Sequence, residues 1–172
     1  MGRVVAISTS EKKGTPKTNV PSARLVAEWG IEGDAHAGRW HRQVSLLALE
    51  SIEKMRQRGV AVRPGAFAEN ITTEGIDLLE RQVGDHLAIG GAVLEITQIG
   101  KECHARCAIF YRAGDCVMPR EGIFARVIRG GEIRVGDAVT LLPALGGQES
   151  VPAGAKQGQQ GRTAAAQRQC KE

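Results

Sequence analysis

The stretch HLAIGGAVLEITQIG, residues 86–100, holds the clearest β pattern in the chain. In AVLEITQI, Val93, Glu95 and Thr97 alternate with Leu94 and Ile96, the two-residue period of a strand with one buried face. HLAI before it is a second short apolar run, and Gly90–Gly91 between them is a turn that tolerates positive φ. The segment reads as a β-hairpin. It sets the expectation for the rest of the chain: short strands, tight Gly-rich turns and a sheet that closes on itself.

Working outward, IFARVIR (123–129), GEIRV (131–135) and AVTLLP (138–143) read as three more strands separated by glycine turns. Upstream, RVVAIS (3–8) is β-branched and apolar, and EKKGTPK (11–17) is a polar turn. ARLVAEWG (23–30) sets Leu25, Ala27 and Trp29 against Arg24, Val26 and Glu28 as a half-buried strand, and QVSLLAL (43–49) reads as a buried one. In ESIEKMRQRG (50–59), Ile52 and Met55 keep helical spacing with Leu49, Glu50 and Lys54 stand as an i,i+4 ion pair, and Gly59 supplies the stop. PGAFAENITTEGIDLLER (64–81) reads as a structured loop with an extended piece at ENIT and one helical turn at IDLLE. VGDHLAI (83–89) and VGDAVTLL (135–142) echo each other, which we read as one tight turn used twice. Roughly eight short strands and one clear helix predict a mainly β (β-rich α+β) fold, a small closed antiparallel barrel with one or two short helices.

At 172 residues, one domain is expected, spanning 1–143. The remainder, 144–172, is rich in Gly, Ala and Gln without an apolar period and is expected to be a disordered tail or linker remnant. The net charge is +4, and half of it lies in that tail, where Lys156, Arg162, Arg168 and Lys171 face Glu149 and Glu172. So small an excess, with 3% aromatic residues, argues against a nucleic-acid partner. The sequence has neither an 18-residue apolar run nor a secretory h-region, so no membrane partner and a cytoplasmic location are expected. In that reducing compartment cysteines stay thiols, which turns attention from disulfides to metal or sulfur chemistry.

The chemistry-bearing residues fall in four places. GIEGDAHAGRWHR (30–42) gathers Asp34, His36, Arg39, His41 and Arg42 in a Gly-spaced loop suited to an anionic ligand. FAENITTEG (67–75) offers Glu69 and Asn70, the latter able to orient a ligand through both ends of its amide. GKECHARCAIF (100–110) sets Cys103 and Cys107 among Lys101, His104 and Arg106, with Arg112 following. Neighbouring cations stabilise a thiolate, and a cysteine pair four apart also lies within the spacing of structural zinc ligands. Zinc needs four ligands, and Cys116 with His104 completes a set only on paper because no second close Cys/His pair exists; structural zinc is therefore disfavoured against a reactive or soft-metal thiolate, with buried structural cysteines as the plain alternative. AGDCVMPREGIFARV (113–127) carries Arg120 on an irregular approach to a strand, where it either faces a pocket or is a surface charge.

The ordered series GIEGDAHAG, QVSLLALESIEKM, GAFAENITTEG, VGDHLAIGGAVLEITQIGKECH and MPREGIFARVIRGGEIRVGDAV resembles the MOSC domain, found at the C-terminus of molybdenum cofactor sulfurases, in its small stand-alone bacterial form. The resemblance spans about residues 3–142. It implies a barrel like the small domain of pyruvate kinase and a pocket for a molybdopterin-type cofactor, or for sulfur carried on one cysteine during maturation of metal–sulfur centres. On that reading Cys103 matches the family cysteine and is the metal or persulfide ligand, with Cys107 as its rival. Asp34, His36 and Asn70 shape the pocket, Lys101, His104 and Arg106 support the thiolate, and Arg39 and Arg120 receive the cofactor phosphate. Whether the chain is an enzyme, of sulfur-transfer or molybdenum-dependent type, stays open. A non-catalytic docking module for a molybdoenzyme or a cofactor-synthesis protein is the alternative. Pyridoxal phosphate is not expected, since it belongs to a separate sulfurase domain.

Overall fold

The hairpin read from the sequence is present in the computed structural model, which describes residues 1–103 and 106–143. The expected tail, 144–172, and His104 lie outside the described residues. In chain order the strands are β1 (Gly2–Thr9), β2 (Thr18–Val20), β3 (Ser22–Val26), β4 (Gly30–Ile31), β5 (Val44–Ala48), β6 (Ile71–Glu74), β7 (His86–Ile89), β8 (Ala92–Ile99), β9 (Ile123–Arg129), β10 (Gly131–Arg134) and β11 (Ala138–Leu142). The helices are α1 (Leu49–Gln57), α2 (Ala108–Ala113) and α3 (Met118–Glu121).

Seven strands close into a barrel in the order β11-β7-β8-β9-β5-β6-β1, with β1 returning to pair β11; β2 extends the sheet from β1. A second, three-stranded antiparallel sheet, β10-β3-β4, places Leu25, Ile31 and Ile133 in the same apolar core. Within the barrel all pairs are antiparallel except β5 and β6, which run parallel with Leu46 opposite Ile71. A parallel pair requires a long crossover, and here α1 and the loop to Asn70 supply it.

The alternation read from the sequence sets the core. Leu94 and Ile96 of β8 are fully buried, with Ile89 and Leu87 of β7 beside them. Two bulges reset that alternation. In β1 the register shifts between Val4 and Ala6, so Val4 and Ile7, three apart, both face inward; a shift between Ile96 and Gln98 does the same for Ile96 and Ile99. β5 is buried on both faces. Val44 and Leu46 enter the barrel, whereas Leu47 joins Phe124, Ile52, Met55, Phe67, Val117 and Met118 in a second cluster between the barrel wall and the helices.

Three local expectations are corrected. β3 stops at Val26, because the chain turns at Glu28 (φ 56°), leaving Ala27 and Trp29 exposed rather than in strand. The i,i+4 pair on α1 does not form: Lys54 reaches Glu121 at 2.9 Å, and Glu50 accepts from Gly75 N–H at 2.9 Å. Long-range partners on both sides outcompete a surface pair worth only about 0.3–0.5 kcal/mol. IDLLE makes a turn held by Asp77, which accepts from Leu79 and Glu80 N–H, instead of a helical turn.

Candidate functional site

The loop between β4 and β5 is organised from within by a charge. Asp34 is buried, and one of its oxygens accepts from Lys17 Nζ at 2.5 Å and Ser10 N–H at 3.0 Å; the other accepts from His36 N–H at 3.1 Å. Lys17 is fully buried as well, so this is a desolvated ion pair. Burial pushes the Asp34 carboxyl up, but contacts from His36 and Lys17 and the Ser10 N–H outweigh it and hold the group well below the usual carboxylate range.

The same ammonium lies 3.1 Å from His36 Nδ1. The same nitrogen stands 3.6 Å from Asp34 Oδ2, so the His36 ring faces both members of the buried pair through Nδ1. His36 is 30% exposed, and Lys17 and Asp34 together hold the orientation of its ring. Sequence reasoning paired Asp34 with His36 and missed Lys17, which lies in a turn whose composition reads as solvated.

Further along the loop, Trp40 Nε1–H donates to His36 O at 2.9 Å, which fixes the indole. The Arg42 guanidinium sits between two rings, 4.9 Å from the Trp40 centroid and 5.7 Å from that of Phe124. Lys13 Nζ lies 5.7 Å from the same indole. Buried Nε of Arg42 has no hydrogen-bond partner among the described residues, an omission that typically costs about 1–3 kcal/mol. Arg39 and Trp40 both line a cleft of about 720 Å³, with Glu28, His41, Gln43 and the Glu95–Arg126 ion pair.

This loop meets the cysteine segment at the end of β8. Gln98 accepts from His41 Nε2 at 3.0 Å and donates to Gly100 O at 2.8 Å, and Thr97 Oγ donates to His41 O. Beyond it, Gly100 N–H donates to Gly122 O at 2.7 Å and Lys101 N–H to Pro119 O at 3.1 Å, which pins the start of the segment to α3. Gly100 is in the left-handed region (φ 72°), and a Cβ there would stand 2.4 Å from Pro119 O, so only glycine fits. Cys103 and Cys107 are exposed, Cys107 immediately before α2, and Lys101 is half-buried. Arg106 lies 4.4 Å over the Phe110 ring. Cys116 is buried against the helices; burial pushes its thiol up against a Met118 N–H bond, and the nearby Cys107 and Cys103 sulfurs raise it further. A thiol so held stays protonated, which leaves Cys103 and Cys107 as the available sulfurs among the described residues.

Three other candidate residues have their polar groups engaged by neighbouring protein groups. Asn70 is buried: its Oδ1 accepts from Ser45 N–H and Oγ–H, each at 3.1 Å, and its Nδ2 donates to Ser8 O at 3.1 Å, so it ties β1, β5 and β6 together. Arg120 is held by both terminal nitrogens on Asp115, at 2.7 and 3.0 Å, with Arg58 on the same carboxylate at 2.6 Å. Glu69, fully buried, accepts from Gly65 and Phe67 N–H at 2.5 and 3.0 Å and shapes the 65–69 turn; its carboxyl is pushed up chiefly by burial. Among the described residues no group of three or more His, Cys, Asp and Glu converges on one point, and no helix is long and apolar enough to cross a membrane.

A family model described as the MOSC domain matches residues 33–140. The YuaD protein from Bacillus subtilis has a similar structure, with a TM-score of 0.68 and 18% identity over 81% of this chain and 94% of that one. YiiM from Geobacillus stearothermophilus gives a TM-score of 0.63 at 19% identity, covering 83% of this chain and 76% of the other. YiiM from Escherichia coli gives 0.56 at 21%, covering 82% and 70%. At such identities the likeness is one of fold. No curated protein matches the chain.

Proposed function

The chain belongs to the MOSC domain family, and from that premise we propose that it binds a molybdopterin-type cofactor, or carries sulfur on an exposed cysteine for maturation of molybdenum or other metal–sulfur centres. The observation that carries this reading is the convergence of two loops at the end of β8. Gln98 ties the loop bearing His36 and Arg42 to the segment bearing Cys103. The donor set fits such a group: an exposed thiol is a soft ligand for molybdenum, and an Arg42 guanidinium with an unmatched Nε lies on the partnering loop. Cys103 would hold the metal or sulfur, with Cys107 as the second thiol, and His36 would offer its ring Nε2 to a polar edge. Bound there, the cofactor would supply redox chemistry at its metal.

In sulfur transfer, the chemistry on this chain is an exchange without net oxidation. The Cys103 thiolate attacks the terminal sulfur of a donor persulfide, the donor S–S bond breaks, the donor thiolate leaves, and a persulfide forms on Cys103. A cytoplasmic setting belongs to the same proposal, because it keeps both exposed cysteines reduced. Its partners would be the cofactor itself and a molybdoenzyme or cofactor-synthesis protein.

The test is to express wild type, Cys103→Ser and Cys107→Ser with molybdate, then measure bound molybdenum and cyanide-releasable sulfur. Cys103→Ser is expected to lose both signals while unfolding at the wild-type midpoint. Retention of both in Cys103→Ser, with loss in Cys107→Ser, transfers the role to Cys107; retention in both variants rejects the cysteine reading.

A further inference from the structure

We infer that the chain at Ala61 is an open β edge, to which an extended, acidic segment of a partner protein adds as a strand. Val60, Ala61, Val62 and Arg63 follow α1 and belong to no helix or strand, yet they are buried, exposed, buried and exposed in turn. That is the period of a strand with one covered face. Val60 and Val62 join the second apolar cluster, and Pro64 disfavours helical backbone at Arg63. The backbone is used on one edge alone. Within a strand, the N–H and C=O of one residue point to one side and those of its neighbours to the other. Val60 N–H donates to Met55 O at 3.3 Å and Val62 O accepts from Arg56 Nε at 2.8 Å, so the edge carrying residues 60 and 62 is taken by the end of α1. Ala61 lies on the opposite edge, and its N–H and C=O have no hydrogen-bond partner among the described residues.

Ala61 lines a groove of about 750 Å³ together with Val60, Val62 and Ala66. Its charged lining, among the described residues, is cationic: Arg56, which also holds Glu53, and the exposed Arg63. A segment of alternating acidic and apolar residues meets all three features. Its backbone closes both bonds to Ala61, its apolar side chains lie on the face of the two valines, and its carboxylates stand on the opposite face beside Arg63. Residues 144–172 of the chain itself match poorly, with four basic residues against two acidic ones. None of the groove residues takes part in the cysteine reading.

A fluorescein-labelled peptide of alternating Glu and Val, titrated with the full chain, should show a saturable rise in anisotropy that an alternating Lys–Val peptide of equal length does not. Ala61→Pro removes the Ala61 donor and leaves the bonds to α1 in place, so it should weaken binding about tenfold or more while keeping the wild-type urea midpoint. Ala61→Ser should bind as wild type does. Arg63→Glu should weaken the Glu–Val peptide and favour the Lys–Val one, which keeps the edge testable if Ala61→Pro fails to fold. Absence of saturable binding, equal binding of the two peptides, undiminished binding by either Ala61→Pro or Arg63→Glu, or binding that survives methylation of the peptide's backbone nitrogens would each overturn the proposal. Two further results would overturn it by naming another occupant: displacement of the labelled peptide by a synthetic peptide of residues 144–172, or a dimer of the chain that dissociates in Ala61→Pro.

Discussion

A lysine with no exposed surface persists in a fold only if its charge is met, and for Lys17 the Asp34 carboxylate at 2.5 Å meets it. Removing one partner leaves the other charged and buried. Asp34→Asn should therefore cost about 3–5 kcal/mol at neutral pH, read as a lower urea midpoint, and an unchanged midpoint would refute the pairing. The direction of the carboxyl shift fixes the pH dependence. Because the folded group is held below the ordinary range, the unfolded chain takes up the proton first. The pair's contribution is full above that ordinary range and fades as the pH falls through the folded value, so the wild-type and Asp34→Asn curves should converge in acid. Asp34 and His36 were legible in the sequence because two histidines, two arginines and a carboxylate crowd one Gly-spaced loop. Lys17 was not: EKKGTPK is a solvated turn by composition, and its role exists only through a partner 17 positions on. Asn70 was legible as a two-ended amide, but sequence could not say that both ends would be spent on neighbouring strands.

At the scale of elements, the two Val-Gly-Asp segments prove to be one device used twice. Asp85 and Asp137 each accept from the N–H three residues back, at 3.0 and 2.8 Å, and each is followed by a strand of the barrel. Gly84 and Gly136 sit at φ 99° and 95°, and each turn exchanges backbone bonds with a neighbouring strand, at Ile96 and at Val4. Gly90, the turn of the opening hairpin, has the milder φ of 54° but no room: a Cβ there would stand 2.7 Å from Glu132 O and 2.5 Å from Asp137 Oδ2. A Cβ on Gly136 would meet nothing within 4 Å. Backbone conformation alone should cost Gly136→Ala about 1–2 kcal/mol, whereas Gly90→Ala adds overpacking against backbone, about 1–3 kcal/mol more. Chemical denaturation of the two variants compares these effects directly. If Gly136→Ala proves the more destabilising, φ strain outweighs contact, and the crowding at Gly90 is relieved by movement of Glu132 and Asp137.

Across the whole molecule, the β character and closure of the sheet were legible because period-two runs and glycine turns are local signals. The parallel β5–β6 step was not, since direction is set by the crossover through α1 and by an outer cluster that buries the second face of β5. Closure depends on β11. It lies between β7, which it pairs along four positions, and β1, which it pairs at Gly2–Val139 and Arg3–Ala138, and Val139 is buried in the core. Removing β11 would therefore withdraw a core residue and leave two unpaired edges, on β1 and β7, exposed to intermolecular pairing. Among the described residues, the last strand of the barrel ends at Leu142. A chain ending at Pro143 should thus unfold with the cooperativity and urea midpoint of the full chain. One ending at Asp137 should lose several kcal/mol from a total that for a domain is typically about 5–15 kcal/mol, and should aggregate or unfold without a sharp transition. Equal midpoints for the Asp137 and Pro143 chains would mean that β11, with its pairings to β1 and β7, contributes nothing to stability and that the barrel is held by its other five pairings.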